Sequence, residues 1–390
     1  MPQPGAPRTV PFAEPNRASV ATGHLRPLMT DACSRKQPCS GLMPTRQCFS
    51  GKQTLHRCGF LRTLRYFDIP DAMSGDDALN LFQPVASSVH SPGPARHAIH
   101  WEYLVPIATV HLLAGLVILP WCFSWSGVAL ALIGTMVFGT LGINLCYHRL
   151  LSHRSLAVPQ WLERILATFA LCSLEDTPAR WVANHRLHHC HSDTEPDPHS
   201  PRDGIVWSHM GWLFRPAPQR RSLAFLDRYA RDILADKYYR TLERHPTATL
   251  WIYLAHAALF GLTGLLVGYF LNHDWHLATQ LAASWVVWGV FLRTVLVWHI
   301  TWSVNSLTHL FGYRTYTTGE DSRNNWLVAL LAMGEGWHNN HHHDPASASV
   351  QHRWWEFDVT YYFILLLKSV GLATNVIQPR HDRQGKAASN

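Results

Sequence analysis

The chain has 390 residues, 47% hydrophobic and 15% charged, with a net charge of +7. Its mean hydropathy is close to zero, yet the apolar residues are gathered into long runs, which excludes an ordinary soluble enzyme and a wholly disordered chain. The basic residues border those runs, so membrane proximity explains them and no nucleic-acid partner is expected; the eight cysteines lack structural-zinc spacing.

Residues 1–95 are rich in Pro, Ser, Arg and Gln and show no periodicity. The expectation there is a disordered tail, a transit segment, or residues ahead of a true start at Met73, and no folded domain. A membrane domain should occupy residues 96–378, with a solvated tail over 379–390.

Four apolar runs follow, over 102–123, 127–146, 247–271 and 277–302. Each has about 20 residues or more, enough to cross a hydrocarbon core of about 30 Å as a helix. The first two are joined by "SWS" and the last two by "NHDWH", turns without Lys or Arg, whereas the long connection between the pairs is rich in arginine. The positive-inside rule puts that connection and both termini in the cytoplasm. Arg293 falls inside the fourth run and is expected to face the helix bundle or a boundary. The stretch "VTYYFILLLKSVGLATNVI" reads as an amphipathic helix on the membrane face, not a fifth crossing.

Histidine is concentrated in three boxes. "HRLLSH" holds His148 and His153; "HRLHH" holds His185, His188 and His189; "HNNHH" holds His338, His341 and His342. Positions i, i+3 and i+4 share one helix face, so the last two boxes each point three imidazoles one way. The topology returns all three boxes, and His309 of "NSLTH", to one membrane face. Nine imidazoles exceed what one first-row metal accepts, so two metals are implied; imidazole suits Zn, Cu, Fe and Ni alike. The carboxylate-rich di-iron bundle, with Glu-x-x-His motifs on paired helices, is not expected. His191, His199, His209 and His343 should support the ligands or lie at the surface.

The motifs "YHRLLSHRS", "WVANHRLHHCHSDTEPDPHSP", "WSHMGW", "NSLTHLFGYRTY" and "GEGWHNNHH" resemble, in content and order, those of membrane fatty acyl desaturases of the stearoyl-CoA, or delta-9, type. The resemblance runs from about Trp101 to about Gln378. It implies an all-α integral membrane protein, with four transmembrane helices and a cytosolic helical cap around a histidine-rich di-iron site. It assigns His148, His153, His185, His189 and His341 to one iron, and His188, His309, His338 and His342 to the other, with Asn305 holding a water on the second. The implied reaction inserts a cis double bond into a saturated acyl chain, using O2, two Fe2+ ions and external electrons. Where acyl-CoA desaturases of animals carry Arg-Asp before the second box, this chain has Ala183 and Asn184, which leaves a thioester or an acyl lipid as the substrate. No His-Pro-Gly-Gly signature of a fused cytochrome b5 domain occurs, so a separate donor of ferredoxin or cytochrome b5 type is expected. The expected location is a bacterial inner membrane, with the endoplasmic reticulum or a plastid membrane as alternatives.

Removing hydrogen from unactivated methylenes is beyond any side-chain acid or base, which accords with a metal cluster lacking a nucleophile or triad. Bond position must then come from geometry, through a dry acyl tunnel. Along the second span, Thr140 to Met136 would lie roughly 12–18 Å below His148 at about 1.5 Å per residue, and could close that tunnel. Trp207 and Trp212 are interface anchors or tunnel wall. The rival readings are a di-iron lipid hydroxylase or monooxygenase, a zinc-dependent membrane hydrolase, and a non-enzymatic metal or haem binder.

Overall fold

A computed structural model describes residues 98–380; the tail expectations for residues 1–95 and 381–390 lie outside them. Among the described residues the regular structure is helical, with only three isolated bridge pairings. In chain order the main helices are α1 (Trp101–Ile118), α2 (Trp125–Ser152), α3 (Gln160–Leu171), α4 (Pro178–His191), α5 (Ile205–His209), α6 (Leu223–Ala235), α7 (Lys237–Arg244), α8 (Thr247–Asn272), α9 (Trp275–Leu310), α10 (Trp326–Leu331), α11 (His338–His343) and α12 (Val359–Ser369).

Four of these, α1, α2, α8 and α9, are long and apolar enough to cross a membrane. They form two hairpins whose tips are capped locally. Ser124 accepts from Gly127 N, and Asp274 accepts from His276 N and Leu277 N, so the first amides of α2 and α9 are satisfied by side chains. The small residues Gly264 and Gly268 of α8 pack against Ala282 and Ala278 of α9, the close approach that holds helices together in lipid. α1 and α8 leave most of their surface outward, while α2 and α9 are the more buried pair. α12 has only 11 residues, too few to span a bilayer.

Two of the spans run past the limits their apolar runs suggest. α2 continues to Ser152 and α9 to Leu310, because the polar residues beyond the apolar runs find partners inside the protein. Arg149 is fully buried; it donates to Glu335 Oε1 at 2.7 Å, to Asp358 Oδ2 at 2.8 Å and to the Ala348 carbonyl at 2.7 Å. It thereby ties α2 to the C-terminal third of the chain. Arg293 faces the bundle, donating to the Cys172 carbonyl at 3.0 Å with its guanidinium 4.2 Å above the Phe138 ring.

The lower half of α2 is wound as a π-helix from Thr135 to Ser152, and α9 has a π segment over Val287–Leu292. The bond from His153 N to His148 O, at 3.1 Å, shows the i→i+5 pattern. A wider helix advances less per residue than an α-helix, so Met136 and Thr140 sit nearer His148 than a uniform 1.5 Å rise allows. The period also changes: residues recur on one face roughly every four to five positions in such a coil. Thr135, Gly139, Thr140, Asn144 and His148 therefore share a face.

The segment between α2 and α8 folds over the end of α2. Leu145 and Leu151 of α2, Leu166 of α3, Val182 of α4, Leu226 and Ile233 of α6, and Ile364 of α12 form one buried cluster. At roughly 1.5–3 kcal/mol for each large apolar side chain removed from water, this cluster is what seats the box-bearing helices against the spans.

Candidate metal centre

The second box is placed by helix-start chemistry. Thr177 accepts from Arg180 N and Pro178 occupies the first turn, so α4 begins there and presents His185, His188 and His189 along one side. Arg186, between them, points the other way. It donates to the carbonyls of Leu151 and Ser152, each at 2.9 Å, and to Asp232, which pins α4 to the end of α2.

The third box sits on α11, whose entrance is shaped by two glycines. Gly334 has φ +119°, and a Cβ there would lie 2.7 Å from Asp358 Oδ1; at Gly336 it would lie 2.0 Å from the Ala329 nitrogen. Only glycine fits either place. The two asparagines of "HNNHH" are buried and fully employed. Asn339 Oδ1 accepts from Thr315 N and Tyr316 N at 2.8 Å, and Asn340 Nδ2 donates to Glu356 at 2.8 Å and to the Val350 carbonyl at 3.0 Å. His309 arrives on the last turn of α9.

These elements bring the nine box and α9 imidazoles into two adjoining groups. Ligand atoms of His148, His153, His185, His189 and His341 lie within 4.8 Å of one another, as do those of His188, His309, His338 and His342. His341 Nε2 is 3.0 Å from His148 Nε2 and 2.9 Å from His189 Nε2; His342 Nε2 is 3.0 Å from His338 Nε2 and 3.3 Å from His188 Nε2. His309 Nε2 is buried without any hydrogen-bond partner. A neutral imidazole has one N–H, so a nitrogen facing two others cannot satisfy both by hydrogen bonds.

The Nδ1 atoms settle which nitrogens carry the protons. His148 Nδ1 donates to Glu335 at 2.8 Å, His188 Nδ1 to Asp197 at 3.0 Å, and His309 Nδ1 to Asp193 at 2.9 Å. An ionised carboxylate only accepts, so in each case Nδ1 is protonated and the Nε2 lone pair is directed into the centre. This carboxylate–histidine arrangement is the one that orients metal-bound imidazoles. The residues present therefore fit a pair of metal ions.

Electrostatics support the same state. Burial, reinforced by neighbouring imidazoles, pushes His153, His185, His189, His338, His341 and His342 well below the ordinary histidine range. Burial also works on Glu335, but Arg149 and His148 overcome it and hold its carboxyl down at about 2. Six of the nine imidazoles are thus held as neutral donors, while Asp197, hydrogen-bonded to His188 Nδ1, outweighs burial and raises the pKa of His188.

The carboxylates were the part that spacing did not reveal. Glu335 does form a Glu-x-x-His with His338, a motif expected to be absent; its oxygens are taken by His148 and Arg149, so it orients the His148 imidazole. Asp193 and Asp197 lie in the acidic stretch directly after the second box, which was the available signal. His199 packs 4.5 Å from the His188 ring. His209 bridges Ser306 and His299, His343 stacks on Tyr316, and His191 is half-buried at the end of α4. Asn305 lies one helical turn before His309, on the same side of α9.

A narrow crevice of about 20 Å³ lies between α2, α9 and α10. Thr135, Gly139, Thr140 and Asn144 line it from α2, facing Ile300 and Thr301. These α2 residues share a face with His148, so the crevice is aimed at the centre. Met136 is half-buried and is not among its lining residues.

Fold and site together define a multi-pass membrane protein with a histidine-lined centre able to hold metal. Residues 119–361 match the fatty acid desaturase family. A similar protein is the sn-1 stearoyl-lipid 9-desaturase of Anabaena variabilis, 43% identical over 278 residues, 71% of this chain and 94% of that protein. Others are the sn-2 palmitoyl-lipid 9-desaturase of Nostoc sp. (strain 36), 40% identical over 72% of this chain and 90% of that one, and an acyl-CoA 5-desaturase of Anemone leveillei, 41% identical over 67% and 74%. The chain belongs to the fatty acid desaturase family. It is a fatty acyl desaturase, an oxidoreductase of lipid metabolism, and neither the hydroxylase nor the hydrolase reading is needed.

Proposed function

We propose that this desaturase holds two irons. His148, His153, His185, His189 and His341 bind one; His188, His309, His338 and His342 bind the other, and Asn305 holds a water beside the second. The observation that supports this is the division of nine nitrogens into groups of five and four, the ligand atoms of each group lying within 4.8 Å of one another. When bound, the irons supply an O2-derived oxidant strong enough to take hydrogen from an unactivated methylene pair.

The chain's own residues do the rest. Asp193, Asp197 and Glu335 keep Nδ1 protonated and Nε2 free. The α2–α9 crevice receives the distal end of a saturated acyl chain, with Thr140 at its wall and Met136 about one turn further along α2, so that length is measured from the centre. A cis double bond at delta-9 in a lipid-linked acyl chain is the favoured product. Two of the relatives are named for 9-desaturation of acyl lipids, and Ala183 and Asn184 offer no charge to a CoA carrier; Ala183 is fully buried and Asn184 donates to the Arg180 carbonyl. The centre faces the cytosol of a bacterial inner membrane, by the positive-inside bias, and a separate ferredoxin or cytochrome b5 type protein delivers electrons.

Expression in a host lacking its own desaturase, followed by fatty-acid profiling, tests this. A delta-9 monoene is the expected new product, with about two irons per chain in purified protein, and His188→Ala or His342→Ala should abolish it. An alcohol product, or full activity without iron, would overturn the reading.

A further inference from the structure

Glu175 lies in the turn between α3 and α4, outside the two histidine groups and the carboxylates that orient them. Its Oε2 accepts from Trp181 Nε1 at 3.2 Å, while its Oε1 is enclosed with no hydrogen-bond partner. The Thr301 hydroxyl stands close enough to favour the ionised carboxyl, but burial outweighs both donors and raises the pKa to about 7. The turn is fixed against α9, so it does not carry this carboxyl out to water. Arg293 donates to the Cys172 carbonyl at 3.0 Å, and Trp298 Nε1 donates to the Ser173 carbonyl at 2.7 Å.

The charged and titratable groups around Glu175 are engaged elsewhere. Asp176 accepts from the Tyr103 hydroxyl of α1 and pairs with Arg180 of α4, which also binds Glu243 of α7 at 2.7 Å. Tyr147 of α2 donates to the Asp176 carbonyl at 3.3 Å. Arg293 of α9 serves the turn's backbone and the Phe138 ring. The Trp181 ring stacks on His185 at 5.0 Å, so one partner of Glu175 borders the five-histidine group. The other, Thr301, lines the α2–α9 crevice. Glu175 therefore stands behind the crevice wall, on the side of the centre.

An amide of the same shape would accept from Trp181 and bond Thr301 at any pH, whereas a carboxyl does so in two charge states. The ionised state is tolerable while the crevice holds water, and about 20 Å³ leaves room for roughly one molecule. An acyl chain expels that water and leaves an unpartnered, charged Oε1 against hydrocarbon, which costs more than the neutral acid. We propose that Glu175 is a proton-linked binding residue, protonated whenever the acyl chain fills the crevice, so that binding above neutral pH takes up a proton from solvent. The inference rests on the crevice reading above and adds the residue that makes affinity depend on pH. The sign is fixed: the acid is neutral below its pKa, so affinity is highest there and falls as pH rises through it.

Binding of methyl parinarate, a fluorescent acyl ester with no titratable group, to the purified full-length iron-loaded protein in detergent tests this, without O2 or reductant. Between about pH 6 and about pH 8.5 the parent's affinity should fall about five- to tenfold, as for one carboxyl whose pKa rises by about one unit on binding. In weak buffer near the upper end of that range, binding should take up a proton, at most about one per chain. Glu175→Gln should keep its iron and unfolding temperature, abolish the proton uptake and flatten the affinity to within about twofold across the range. Under turnover the parent's KM should rise with pH and that of Glu175→Gln should not. A parent that binds equally well at all pH values, or a Glu175→Gln protein with the parent's slope, would overturn the proposal. So would Glu175→Gln weakening binding by one factor at every pH, which would make the residue structural. Thr140→Phe separates this from the crevice reading. It should weaken binding at every pH; parental binding by Thr140→Phe would sink the crevice reading, whereas blocked binding there with an unchanged slope in Glu175→Gln would sink only the role of Glu175.

Discussion

His148 stands between two partners: its Nδ1 donates to Glu335 Oε2 at 2.8 Å while its Nε2 meets His341 Nε2 at 3.0 Å. Glu335 also accepts from Arg149, so one carboxylate fixes an imidazole of the five-histidine group and the cation that anchors α2 to the C-terminal third. Glu335→Gln keeps the shape and loses the charge. Removing such a partner typically costs about 10–100-fold in metal affinity or activity. We expect Glu335→Gln to lower bound iron and turnover together, with a lower unfolding temperature because buried Arg149 keeps only Asp358 as an ionic partner. Iron retained at the parental level would show that the carboxylate does not orient His148.

Asp197 allows a cleaner version of that experiment on the other group. Its Oδ2 accepts from His188 Nδ1 and from Asp193 N, and its Oδ1 accepts from His199 N. Asp197→Asn preserves much of this loop bonding but removes the charge behind His188. Iron stoichiometry should fall from about two toward about one, because only the four-histidine group is disturbed. Equal loss from both groups would mean that the two ions are held cooperatively, against the separate sets assigned here.

The histidines were legible because helix periodicity writes i, i+3 and i+4 directly into a sequence, as in His185, His188 and His189. Their partners were not. His309 and Asp193 are 116 residues apart, and Asp193 sits in a loop at φ +59°, where no period operates. The π winding of α2 was equally hidden: an apolar run has the same composition whether its bonds close over four residues or five. That winding brings Thr140 to the crevice, which Met136 does not line. Arg293 was readable in outline, since a charge deep in a span has to face protein.

Chain-length selection should follow the crevice. Thr140 is 1% exposed and lines it, opposite Val297, Ile300 and Thr301. At about 20 Å³ the space holds little more than one water-sized sphere, so an added ring blocks it. Thr140→Phe should shift the product profile toward shorter acyl chains. Met136→Ala, which shortens a half-buried side chain about one turn from Thr140 on α2, should shift it modestly toward longer ones. Fatty-acid profiles of an expression host fed C14 to C20 precursors provide the measurement. If neither substitution moves the profile, the acyl chain does not end between α2 and α9.

Metal removal links the centre to stability, and its pH dependence has a definite sign. Six box histidines are pushed well below the ordinary value, chiefly by burial and then by one another. These six take up protons near pH 6.5 in the unfolded chain and not in the folded one. Unfolded protein therefore binds more protons below that pH, and stability falls on acidification, by up to about 1.4 kcal/mol per pH unit for each such group. Bound iron adds to the gap because it, too, requires the neutral imidazoles. Chelation at pH 7.5 should lower the unfolding temperature in detergent, and restoring Fe2+ should recover it. Taking the chelated protein from pH 7.5 to pH 5.5 should lower it further, reversibly, and replacing His185 and His189 by Gln should flatten that pH dependence even as it abolishes iron binding. A chelated protein equally stable at both pH values would mean that these imidazoles are not held neutral by the fold.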